Sequence, residues 1–293
     1  MLAAAERLAP PVTTPWIDAA CARLGRDLRA WDALPAASAF ATNRDVQVGV
    51  FVANHLHLMA FQSVAGPAVA SAGMSLGEYN HLVHIGAIDF LDALAVVDQR
   101  GRAYDAGPRG CMAAVFPVTP DEVEEVLRRS HGFVAISNRN SPRQQVIAGE
   151  VDAVRAAMAL LEEEQWATAT VIEPHIPMHT ARFAPAAQAL EPALRAAPWC
   201  SPQRPYVPNV LGRTLLDPTP DDIVQHLLRH VSEPVRWQTT VEHLHAEHPH
   251  ATFVEVGPAS VLHDLMRVSW LRVRRAHTRD AAAFAEAVEL ARA

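Results

Sequence analysis

The chain has 293 residues, half of them hydrophobic and 19% charged, with a formal net charge of −7. That length and apolar content allow a sizeable core, built as one large domain or two modest ones. The acidic balance excludes the basic footprint of a nucleic-acid-binding surface. Cys21, Cys111 and Cys200 are odd in number and lack C-x-x-C spacing, which fits a reducing cytoplasm better than a disulfide framework. No charged segment followed by an apolar one opens the chain, so no signal peptide is expected. Arg, Asp, His or Asn interrupts each apolar run before the ~18–20 residues of a membrane helix, so a cytoplasmic protein without a membrane partner is expected.

Residues 1–31 read as helix, with Ile17, Cys21, Leu24 and Leu28 spaced for one buried face and Pro10, Pro11 and Pro15 breaking it in two. After a loop over 32–45, Val46–Val64 is strongly apolar with scattered Gln47, Asn54, His55 and His57, the pattern of a mostly buried helix ended by Gly66-Pro67. A strand of small and apolar residues then leads into Gly73-Met74-Ser75-Leu76-Gly77. Helices follow over 76–84 and, with Asp89 as N-cap, to about Tyr104. From Cys111 the rhythm changes: strand 111–116, a helix opened by Thr119-Pro120-Asp121-Glu122, strands 133–138 and 144–148, helix 150–164 and strand 167–173. That βαββαβ order predicts a ferredoxin-like subdomain over 111–175, inserted into an α/β core made of 1–110 and 176–293. The remainder predicts a helix from Thr180, a strand at 206–210, helices 219–230 and 234–247, a strand at 252–256 and closing helices.

The G-x-S-x-G stretch carries the chemistry. A strand, a tight turn and an amphipathic helix are the setting of a nucleophile elbow. The turn is expected to be so tight that a Cβ at either Gly73 or Gly77 would clash. Ser75 then stands at a helix N-terminus, whose amides favour an oxyanion.

The match extends through Gly73–Tyr79, Gly86-Ala87-Ile88-Asp89-Phe90, Arg100-Gly101, Asn138-Arg139-Asn140-Ser141-Pro142, Pro177-Met178-His179, Pro234-Val235-Arg236-Trp237 and Glu255-Val256-Gly257-Pro258. In this combination and order the chain resembles the malonyl-CoA:acyl carrier protein transacylase family, including the acyltransferases of polyketide synthesis. The resemblance implies a hydrolase-like parallel-sheet core and ping-pong acyl transfer. Ser75 attacks an acyl-coenzyme A, His179 serves as base, and the phosphopantetheine thiol of an acyl carrier protein takes the acyl group. It implies that a backbone carbonyl near His230, where the family usually has Gln, orients the base. Arg100 matches the family arginine that grips a free carboxylate, which suits malonyl and disfavours acetyl. The remaining substrate-binding positions are Leu76, Met74, Met178, Asn140 and His230. Met74 replaces a usual His and Met178 a usual Ser or Phe, which reshapes the acyl pocket. Acyl-CoA and the carrier protein are the implied partners, no cofactor is needed beyond malonyl-CoA as substrate, and a monomer is expected.

The family begins with a strand and a Gly-Gln-Gly-Ser-Gln loop whose Gln amide completes the oxyanion hole. Here Met1-Leu2-Ala3 already matches the helix after that loop, so only the Leu76 N–H is assignable. Either the true start lies upstream of Met1, or the protein is a weakened relative. Two other readings remain: a proofreading thioester hydrolase, against which Arg100 argues, and a carrier-protein-binding relative without turnover. His175-x-x-x-His179 and the His243, His245, His248, His250 run look metal-like, but Pro177 interrupts the first and the second fits a solvated helix end.

Overall fold

The computed structural model describes residues 1–267 and 269–292, which form two compact units. One comprises Ala103–Ala196 and Tyr206–Leu244. Its sheet contains β1 (Cys111–Phe116), β2 (Val134–Ser141), β3 (Gln144–Gly149) and β4 (Thr168–Glu173) in the order β2-β3-β1-β4, every neighbouring pair antiparallel. The helices Pro120–Arg129 and Val151–Gln165 fall where the βαββαβ reading requires. Alternation along the strands explains the packing. Cys111, Ala113 and Val115 of β1, with Ile136 and Ile147, bury against Val123, Val126, Val154, Ala157 and Leu161 of the two helices. Met112, Val146 and Ala148 point to the other face. Thr119 and Glu122 form a reciprocal capping box at one helix, and Thr219 and Asp222 repeat it at Pro220–Ser232.

This unit is larger than the expected 111–175 insert, because it also includes the helices Ala184–Ala196 and Pro220–Ser232, which pack on each other. The expected strand at 206–210 is reduced to one bridge between Tyr206 and Leu215. The helix expected from Pro234 starts at Trp237, because Val235 first pairs with the edge of β2: its N–H donates to the Ser137 carbonyl and its own carbonyl accepts from Arg139 N–H.

The second unit comprises Met1–Arg102, Ala197–Pro205 and the stretch from His245 onward. It is built on the helix Asn43–Ala65, capped by Thr42, whose hydroxyl accepts from Asp45 N–H, and ended by Gly66 at φ +78°. With 23 residues and a mean hydropathy of 1.3 in its most apolar window, this helix is long and apolar enough to cross a membrane, contrary to the expectation that polar residues interrupt every such run. Here Leu2–Glu6, Pro10–Leu24, Gly77–His84 and Ala281–Arg292 pack around it. The first break falls at Pro10, whereas Pro15 stays inside its helix. Ile17 is buried within that helix, and Leu28 is buried beyond its end at Gly25.

The expected parallel-sheet core is small among the described residues: β5 (Phe253–Glu255) and β6 (Arg275–His277) pair in parallel, and 66–74 forms no strand. A parallel strand exists only through its neighbours' hydrogen bonds. The segment before Ser75 is instead anchored by side chains, with Arg204 Nη1 donating to the Ala68 carbonyl (2.8 Å) and Ser71 Oγ bonded to His81 Nδ1 (2.8 Å).

Candidate active site

Ser75 has φ +50°, a left-handed backbone that a non-glycine residue adopts only where its surroundings impose it. The cause is local. A Cβ on Gly73 would fall 1.9 Å from the Gly77 carbonyl oxygen, so only glycine allows the chain to double back this sharply. At Gly77 an added Cβ would meet open space, so the expected clash is confined to one of the two glycines. The helix begins at once: Gly77 N–H donates to the Met74 carbonyl (2.9 Å) and Glu78 N–H to that of Ser75 (3.0 Å). Leu76 is its N-cap, so the Leu76 amide lies at the positive end of the helix. Met74 and Ser75 are half-buried.

Arg100 belongs to the same unit. It sits on the helix Phe90–Asp105 with only 2% of its surface exposed. Its Nη1 donates to Gln47 Oε1 at 2.5 Å, and its guanidinium carbon lies 5.5 Å from the ring centroid of Tyr79 on the elbow's own helix. Gly101 explains how Arg100 reaches Gln47: a Cβ there would lie 2.4 Å from the Arg44 Cα, so the two helices meet at glycine distance. At that exposure the Arg100 guanidinium is withdrawn from solvent. Gln47 and Tyr79 were not among the sequence candidates for the site. The available signal was an amide among the scattered polar residues of an apolar helical run, legible as buried but not as aimed at Arg100.

In the other unit the base candidate is held by one helix end. His179 is 1% exposed and has φ +60°. Its N–H donates to the Val231 carbonyl (3.1 Å) and its Nδ1 donates to the His230 carbonyl (2.7 Å). A carbonyl only accepts, so Nδ1 carries a proton, and the neutral form of His179 presents its lone pair at Nε2. The His230 ring stacks on it, with centroids 4.7 Å apart and planes 10° apart. Met178 is half-buried against Met112, Val146, Ala148 and Ala114 on the open face of the sheet. Asn140 is buried on β2, and its Oδ1 has no hydrogen-bond partner among the described residues. Thus Ser75, Leu76, Met74 and Arg100 lie in one unit, and His179, His230, Met178 and Asn140 in the other. Among the described residues no group of three His, Cys, Asp or Glu side chains is placed to hold a metal ion.

The family described as acyl transferase domain matches residues 26–280, most of the chain. The chain belongs to that family. Among curated members it is 31% identical over 286 residues to the malonyl CoA-acyl carrier protein transacylase of Escherichia coli K12, covering 96% of this chain and 92% of that one. It is 33% identical over 223 residues to the polyketide biosynthesis protein ThaF of Burkholderia thailandensis, covering 75% of this chain but only 19% of ThaF. A solved family member, a malonyl-transacylase in complex with its type II polyketide-synthase acyl-carrier protein, superposes with a TM-score of 0.85 at 28% identity, covering 99% of this chain and 94% of that one.

Proposed function

We propose that this chain moves a malonyl group from coenzyme A to the phosphopantetheine thiol of an acyl carrier protein, in fatty acid or polyketide synthesis. The observation that carries the reading is Ser75 at φ +50°, enforced by Gly73 and set at a helix start. The names of the Escherichia coli relative and of the solved transacylase–carrier complex support the donor and the acceptor.

In this reading the Ser75 hydroxyl attacks the thioester carbonyl while His179 Nε2 takes its proton. The C–S bond breaks, the proton passes from His179 to the coenzyme A thiolate, and a malonyl-seryl ester remains. The carrier thiol then gives its proton to His179 and attacks the ester, and the same proton returns to Ser75. The Leu76 N–H stabilises the oxyanion in both halves. Arg100 offers two parallel donors to the malonyl carboxylate, with Gln47 fixing the plane of the guanidinium. No cofactor enters, and acyl-CoA is the only small-molecule substrate.

Intact-mass spectrometry after mixing with malonyl-CoA tests it. The parent chain gains one malonyl mass and Ser75→Ala gains none. An adduct on Ser75→Ala would overturn the assignment.

A further inference from the structure

We propose that the imidazole of His230 is a positioning residue for the base: its ring face steadies His179 and stabilises the imidazolium that His179 becomes during acylation. The inference rests on His179 acting as base, as proposed above, and adds a role for the His230 side chain distinct from that of its carbonyl.

The end of the Pro220–Ser232 helix holds His179 at three points. Two are backbone carbonyls, those of Val231 and His230, and any residue at position 230 would supply the second. The third is the side chain alone. Two rings at 4.7 Å and 10° are in face contact, and with both residues 1% exposed water does not compete for that face. The imidazole of His179, on a backbone at φ +60°, rests against the His230 ring. A flat wall restricts it to sliding in its own plane, and the carbonyl on Nδ1 stops the slide. When His179 takes a proton, its charge develops over the face of a neighbouring aromatic ring, where a cation is attracted. A base accepts its proton in the neutral form, where this attraction is absent, so it lowers the barrier rather than tightening substrate binding.

The test compares His230→Phe with His230→Leu. Both keep the backbone carbonyl and fill the space with apolar atoms, but only Phe keeps an aromatic face. Single-turnover acylation by malonyl-CoA should stay within about twofold of the parent in the Phe chain and fall roughly 2- to 30-fold in the Leu chain. Thermal midpoints near the parent value identify chains that are folded. The His179 imidazole pKa, read by NMR, should be lower in the Leu chain than in the Phe chain, because the aromatic face favours the charged form. Equal acylation rates and equal His179 pKa values in the two folded variants would overturn the proposal. His179→Ala separates the two readings: if it acylates at the parental rate, His179 is not the base, whereas a dead His179→Ala beside equal Phe and Leu variants removes only the role of His230.

Discussion

The two units bury polar groups by different means. Around the four-stranded sheet, most buried polar side chains are tied to backbone: Gln145 Nε2 to the Val118 and Ser141 carbonyls, Ser137 Oγ to that of Val146 as well as to Asn138 Oδ1, Thr180 Oγ1 to that of Pro177, and His179 to that of His230 as well as to its ring. In the unit built on Asn43–Ala65 some also meet backbone, as Asn80 Nδ2 does at the Phe51 carbonyl and Thr13 Oγ1 at that of Glu6, but more meet side chains and rings: Arg100 with Gln47, Asn54 with Asn80, Ser71 with His81, His57 with Thr278, and His55 stacked on Phe90 and set edge-on to Trp16. A backbone partner is present whatever residue occupies its position, so those bonds themselves survive a change of the partner's side chain. A side-chain partner disappears with one substitution, and a histidine in such a place must stay neutral. Burial pushes His55 down to about 3 and His57 and His81 to about 4. The helical unit therefore stores function in packing that is more easily broken.

The largest expected break is in the elbow. Gly73→Ala should abolish acyl-enzyme formation, because a Cβ 1.9 Å from the Gly77 carbonyl forces the turn open. Gly77→Ala should remain active and stabilise its helix by up to ~1 kcal/mol. Intact mass and thermal midpoint of the two variants side by side decide whether the strain is one-sided. Next in size, His179→Ala in the sheet unit should slow acylation ~10²- to 10⁴-fold at neutral pH, measured by rapid quench.

Smaller changes address the arginine. Arg100→Ala should shift preference from malonyl-CoA toward acetyl-CoA rather than abolish turnover, and Gln47→Leu should shift it the same way by less, since the guanidinium remains but loses its fixed orientation. Competition between the two thioesters reads both; a ratio unchanged in Arg100→Ala would remove the clamp from the reading.

Acid separates the units by stability. For His55, His57 and His81 the folded pKa lies below the unfolded value of about 6.5, so their contribution is complete above about pH 6.5 and is lost as pH falls to about 4 for His57 and His81 and to about 3 for His55. Urea unfolding at pH 7 and pH 5 should show a loss on the order of a few kcal/mol. His55→Phe, which keeps the stacking on Phe90, should flatten that slope. The smallest effect belongs to the regular unit: Thr219→Ala removes one capping box and should cost about 1 kcal/mol.

Local signals determined most of the sheet unit from sequence alone. Thr119 with Glu122 and Thr219 with Asp222 announce helix starts through bonds made within four residues, and two-residue alternation places the strands without reference to anything distant. Gly73 and Ser75 were legible for the same reason, because the constraint lies within five residues. Tertiary structure decided what depends on remote partners. Residues 66–74 have the composition of a strand but form none, since a parallel strand exists only through its neighbours. Asn43–Ala65 has the composition of a membrane span, and the four helices packed on it decide that it is a core. Gln47 became part of the arginine site only because Gly101 lets two distant helices touch, and His230 became a partner of His179 only where a helix end and a left-handed turn meet. Sequence spacing carries contacts made within a turn or a strand, and these contacts span 53 and 51 residues.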